Sequence, residues 1–133
     1  MPKYSVIYDL LTDNDSRLWM ATDAGILCKE KNSKQFVLLN TDAKNDPSAL
    51  AYDSASHTIW VAYSDQILAF DKETKRFKSY PWPENHNSAS PQSKTIAFSN
   101  TQNKLFLLGS NTLWTYSNTE GFKKLKTAHN LVD

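Results

Sequence analysis

Apolar residues in this chain come in short runs of about four to nine positions, separated by clusters of Asn, Asp, Ser and Lys, and no run has the length or spacing of an amphipathic helix. The runs therefore predict strands. In order they fall at about 5–13, 18–22, 26–29 and 35–39, then 49–53, 58–63, 67–70 and 76–80, then 94–99, 104–109, 113–116 and 122–125. β-Branched and aromatic side chains fill them, as a pleated, partly buried surface prefers. Glycine, present three times, is too scarce to make all the turns. Asn, Asp and Ser take over that role through local side-chain hydrogen bonds and tolerance of positive φ.

The runs repeat in groups of four. Leu18-Trp19-Met20-Ala21-Thr22 returns 41 residues later as Ile59-Trp60-Val61-Ala62-Tyr63, and Ile26-Leu27 and Phe36 return at the same offset as Ile67-Leu68 and Phe77. A looser third copy runs through Phe106-Leu107-Leu108-Gly109-Ser110, with Leu107 in the Trp position, 47 residues after Trp60. Four antiparallel strands recurring every 40 to 47 residues are the pattern of β-propeller blades, whose four-stranded sheets pack face to face around an axis. The second strand of each blade then has both faces covered, which accounts for continuous apolar runs in place of alternation. Ala21, Ala62 and Gly109, two residues after the Trp position, leave room for neighbouring sheets to approach. A sandwich or barrel of eight to twelve strands is the alternative, but it has no need of the same four-run unit three times. The expected fold class is therefore all-β, with three four-stranded antiparallel blades at about 5–39, 48–80 and 93–125 forming one partial propeller over 1–133.

Composition narrows the function classes. The 133 residues are 40% hydrophobic, and 15 basic against 14 acidic side chains leave a formal charge of +1, so there is no broad electrostatic attraction to nucleic acid or an anionic membrane. No run approaches the ~18 apolar residues of a transmembrane helix, and Met1-Pro2-Lys3-Tyr4 does not open a signal peptide. Cys28 is the single cysteine, which excludes an intrachain disulfide, and its place in a strand predicts an inert thiol. His57, His86 and His129 fall in separate loops without metal-ligand spacing, so neither metal nor cofactor is expected. Asp13, Asp15, Asp53 and Asp71 recur at strand ends, where turn capping explains them better than acid–base catalysis. The basic stretches Lys72-Glu73-Thr74-Lys75-Arg76 and Lys123-Lys124 read as solvated strand edges. Gly-rich phosphate loops and Gly-x-Ser-x-Gly elbows are absent, so an enzyme is not expected.

The stretch Asp13-Asn14-Asp15-Ser16-Arg17-Leu18-Trp19-Met20-Ala21-Thr22-Asp23-Ala24-Gly25-Ile26 resembles the two-component regulator propeller repeat, with Ser16 and Ala21 where that family often has Gly. Ile59-Trp60-Val61-Ala62-Tyr63 and Leu107-Leu108-Gly109-Ser110 are looser versions. The resemblance implies the extracytoplasmic, periplasmic or extracellular, sensor region of a hybrid two-component histidine kinase, which binds oligosaccharide breakdown products and signals through the membrane. WD40 and kelch repeats fit less well, lacking here a Trp-Asp dipeptide and paired glycines.

Three blades cannot close a ring, and uncovered end faces would expose apolar surface and strand edges. Further blades or another copy of the chain are therefore the expected partners: the chain is expected to be a piece of a longer propeller, or to close its ring by oligomerisation. Ligand contacts are expected from one rim, where the turns after the Trp strands meet the blade-to-blade connections. Asp23, Tyr63, Asp65, Trp82 and Asn111 are the candidates there. Trp82, between Pro81 and Pro83, would stack on a sugar ring, or else would cover the outer edge of its blade. A protein-interaction scaffold without a small-molecule site is the second functional reading.

Overall fold

The computed structural model describes residues 3–83, 95–109 and 112–127. All regular structure among them is β. The twelve strands are β1 (Ile7–Thr12), β2 (Leu18–Thr22), β3 (Gly25–Lys29), β4 (Phe36–Leu38), β5 (Ala49–Asp53), β6 (Thr58–Ala62), β7 (Ile67–Asp71), β8 (Arg76–Tyr80), β9 (Thr95–Ser99), β10 (Lys104–Leu108), β11 (Thr112–Ser117) and β12 (Gly121–Thr127). They form three four-stranded sheets, β1 to β4, β5 to β8 and β9 to β12, each an antiparallel meander in chain order. This is the partial propeller that the repeats predict.

The hairpin turns rest on side-chain caps. Asp13 Oδ1 accepts from the backbone N–H groups of Asp15 (2.9 Å) and Arg17 (3.0 Å), and Asp53 Oδ1 from Ala55 (3.1 Å) and Ser56 (3.3 Å). Asp71 Oδ1 does the same for Glu73 and Thr74. The third sheet uses Ser99 and Ser117 hydroxyls in place of the carboxylates, accepting from Gln102 and Glu120. Four of these five turns place a non-glycine residue in the left-handed region, Ser16, His57, Lys75 and Asn103 at φ 57 to 62°, and the β11–β12 turn uses Gly121 at φ 67°. Each such non-Gly position costs roughly 1–2 kcal/mol.

Two apolar layers hold the sheets together. Between the first and second sheets, Trp19, Ala21, Ile26 and Cys28 meet Leu50, Ile59, Val61, Leu68 and Phe70. Between the second and third, Ala49, Ala51, Trp60, Ala62 and Ile67 meet Ile96, Leu105 and Leu107. The second sheet is thus covered on both faces, and Ala21 and Ala62 are wholly buried. The layers repeat each other in detail. Trp19 packs on Phe70 at 5.5 Å and Trp60 on Tyr116 at 5.6 Å, while Phe70–Phe77 and Tyr116–Phe122 stand at 4.6 and 4.8 Å. Aromatic pairs of this geometry contribute about 0.5–1.5 kcal/mol each beyond the area they bury. On the first sheet, Leu10 and Leu38 remain 56% and 45% exposed.

Candidate functional site

At the rim formed by the β2–β3 and β6–β7 turns and the connections between sheets, the structure distributes the expected residues unevenly. Asp23 is exposed, and its Oδ1 accepts from the backbone N–H groups of Ser5 (2.9 Å) and Val6 (3.1 Å), bonds that hold its carboxyl below the usual range. Its carboxylate thereby ties the entry to β1 against the β2–β3 turn. Tyr63 is 1% exposed, and burial pushes its phenol up despite a hydrogen bond with the Thr41 side chain. Trp82 is 7% exposed and belongs to the layer between the second and third sheets, where its indole N–H donates to the Tyr63 carbonyl at 2.7 Å. Tyr63 and Trp82 are therefore joined in a clasp inside the fold. Buried there, Trp82 does not present the open stacking surface expected of it. Asp65 is exposed, and Asn111 lies outside the described residues, as do His86 and His129.

The open aromatic on this rim is Tyr8, which is 45% exposed. It lines a pocket of about 490 Å³ with Lys44, Asn45, Asp46, Ser48 and Ser64. The Tyr8 hydroxyl donates to Asp46 Oδ2 at 2.9 Å, and this bond raises its pKa. A second hollow of about 280 Å³ adjoins it through Asn45, lined by Gly25, Asn40, Thr41 and Tyr63. An exposed ring beside carboxylate, amide, hydroxyl and ammonium groups suits a polyhydroxylated ligand, whose hydroxyls both donate and accept. Sequence reading missed Tyr8 because it sits at the start of a strand, where an aromatic looks like core. The connection at 40–46 is one of the blade-to-blade connections expected at this rim, but nothing in its composition singles out Lys44, Asn45 or Asp46.

The opposite rim, formed by the β1–β2, β3–β4, β5–β6 and β7–β8 turns, holds a buried ion pair that sequence reading also missed. Lys72, expected at a solvated edge, is instead 5% exposed. Its ammonium reaches across from the second sheet to Asp13 Oδ2 at 3.0 Å and Asp15 Oδ2 at 3.2 Å. It also donates to Asn14 Oδ1 and the Tyr52 hydroxyl, and lies 4.8 Å from the centre of the Tyr52 ring. Asp13 Oδ2 accepts the Trp19 indole N–H as well, at 2.9 Å. Burial acts to raise the Asp13 carboxyl, but hydrogen bonds from Trp19, Lys72 and two backbone N–H groups outweigh it and hold the carboxyl below the usual carboxylate range. Burial likewise acts to lower Lys72, and its bonds to Asp13, Tyr52 and Asp15 reverse the sign and raise it. Both groups are charged at neutral pH. Cys28 lies in the same layer with its thiol pushed up to about 11, chiefly by burial, so it is protonated and a poor nucleophile. Among the described residues no three His, Cys, Asp or Glu side chains stand close enough to hold a metal ion.

No family model matches the chain, and none of the curated proteins matches its sequence. Solved structures do. The extracellular domain of a protein from B. thetaiotaomicron, described as a hybrid two-component system, superposes with a TM-score of 0.72 at 20% identity, covering 92% of this chain and 16% of that one. A nidogen/laminin complex superposes at 0.72 and 14% identity, over 93% of this chain and 49% of that one. The WD40 repeats of RRP9 follow at 0.70 and 15%, over 96% and 39%. These likenesses show a propeller fold, and the chain spans 16% of the length of that extracellular domain.

Proposed function

We propose that this chain is a segment of a non-enzymatic sensor propeller, placed outside the cytoplasm, whose rim pocket beside Tyr8 recognises oligosaccharide breakdown products and relays their presence to a histidine kinase. The observation that carries the reading is the pocket itself. It joins an exposed tyrosine ring to Lys44, Asn45 and Asp46 at the connection between two sheets, so an occupant would touch both and alter how they sit. The Asp13 to Ile26 motif and the fold likeness to an extracellular two-component domain support the same reading. Further blades of the same protein are the partners that would cover the apolar side chains of the first sheet.

Calorimetric titration of the full-length protein with a panel of oligosaccharides tests it. A saturable response is expected from at least one glycan. Tyr8→Ala and Asp46→Ala should each weaken that response at least tenfold, and Tyr8→Phe should keep the stacking part of it. A folded protein that responds to none of the panel would overturn the reading in favour of an interaction scaffold.

A further inference from the structure

The three sheets end at the perimeter of the fold on β4, β8 and β12, each the last strand of its sheet. Lysine guards two of these edges. The register that pairs Cys28 with Val37 in the first sheet pairs Ala69 with Lys78 in the second, and β12 carries Lys123 and Lys124. Charged side chains at such positions keep a sheet edge from pairing with another chain. On β4 the same place is taken by Val37, which is 61% exposed, with Leu38 beside it at 45%. The Val37 side chain lies on the face of Cys28, which packs against the second sheet. Its exposure therefore belongs to the perimeter, and further blades would not remove it.

The free backbone groups of β4 are arranged for a two-fold axis. The Leu39 N–H donates to the Ile26 carbonyl at 2.9 Å across β3 and β4, which makes Ile26 and Leu39 a hydrogen-bonded pair. Such pairs alternate along an antiparallel ladder, so Val37 turns its N–H and C=O inward to Cys28, while Phe36 and Leu38 turn theirs to the open edge. An antiparallel copy of β4 centred on Val37 sets each Phe36 opposite the other copy's Leu38, and both pairs can exchange their N–H···O bonds. The side chains agree with the backbone. Val37 meets Val37, Phe36 meets Leu38 and Lys34 meets Asn40, so apolar faces apolar and no two like charges stand opposite. The same axis on β8 would set Lys78 against Lys78. We infer that β4 is a docking edge for a second copy of this chain, which joins the first sheets of the two copies into one continuous sheet.

Sedimentation velocity of the whole chain over a range of concentrations should show a monomer–dimer equilibrium. Val37→Lys, which gives β4 the residue of β8, should leave only monomer where the parent is dimeric, at an unchanged melting temperature because the position is exposed. Lys78→Ala should leave the equilibrium as it is. Cross-linking reads the register separately. At a non-hydrogen-bonded antiparallel pair the two Cα atoms stand about 4.5 Å apart, within reach of a disulfide, so Val37→Cys should form an intermolecular disulfide under a mild oxidant and Lys78→Cys should not. Cys28 is buried with its thiol protonated and does not compete. A parent that stays monomeric, a dimer that Val37→Lys leaves intact, or cross-linking of Val37→Cys that is absent or no greater than that of Lys78→Cys would overturn the inference.

Discussion

The two junctions between sheets share one apolar design and differ in how they finish it. At both, a Trp of the second strand packs against an aromatic of the next sheet's third strand at about the same distance, 5.5 and 5.6 Å. At the first, a turn aspartate gathers an indole, an ammonium and two backbone donors, and the ammonium comes from the neighbouring sheet. At the second, the aspartate caps its own turn, the indole N–H has no acceptor among the described residues, and a cleft stands where the lysine would be. Apolar packing is therefore enough to stack two sheets. The polar groups decide whether their junction is sealed or left open.

The largest test of that contrast is Lys72→Ala, which strands Asp13 in a buried position and should cost about 3–5 kcal/mol in urea unfolding. Asn118→Ala, at the corresponding place beside the cleft, should change stability by less than about 0.5 kcal/mol. A Lys72→Ala protein as stable as the parent would mean that the ion pair is not what closes the first junction. Next in size, Trp19→Phe should cost about 1.5–3 kcal/mol more than Trp60→Phe, because one indole donates to a carboxylate and the other has no acceptor among the described residues. Equal losses would erase the distinction between the two.

Acidity should separate the junctions more gently. The folded Asp13 carboxyl titrates below its ordinary value of 3.8, so its contribution is complete above that pH and drains away as pH falls through the lower folded value. The stability difference between the parent and Asp13→Asn, followed by denaturant unfolding, should shrink as pH drops below about 3.8. Lys72, being raised, contributes fully below its ordinary 10.5 and loses that contribution only as pH rises past its higher folded value. The smallest effect expected is from Ser16→Gly in the exposed β1–β2 turn. Removing the Cβ from a residue at φ 61° should raise the melting temperature by the equivalent of about 0.5–1 kcal/mol.

The fold could be read in advance because its cause is periodic. Trp19 and Trp60, Ile26 and Ile67, and Phe36 and Phe77 keep one offset because each serves the same place in the same unit, and the third unit was recoverable from strand order, although its register puts Phe106, 46 residues after Trp60, at the Trp position in place of the expected Leu107. The polar groups follow no such period. Lys72 sits beside Glu73, Lys75 and Arg76 and looks like them; only the stacking of the sheets points its ammonium at Asp13. Trp82, flanked by prolines and outside the periodic strands, offers no pattern from which its burial between the second and third sheets could be read. Tyr8 looked buried because it lies in a strand, yet β1 leaves it open. Comparing repeats at the Lys72 register with Asn118 was the one signal within reach that would have found the cleft at the second junction.

Because the ammonium that neutralises Asp13 belongs to the following unit, the units of this propeller are not modular parts. Shuffling, duplicating or excising the first would leave its acid without a counter-charge unless the successor came with it, so the order of repeats along the chain is itself a folding constraint.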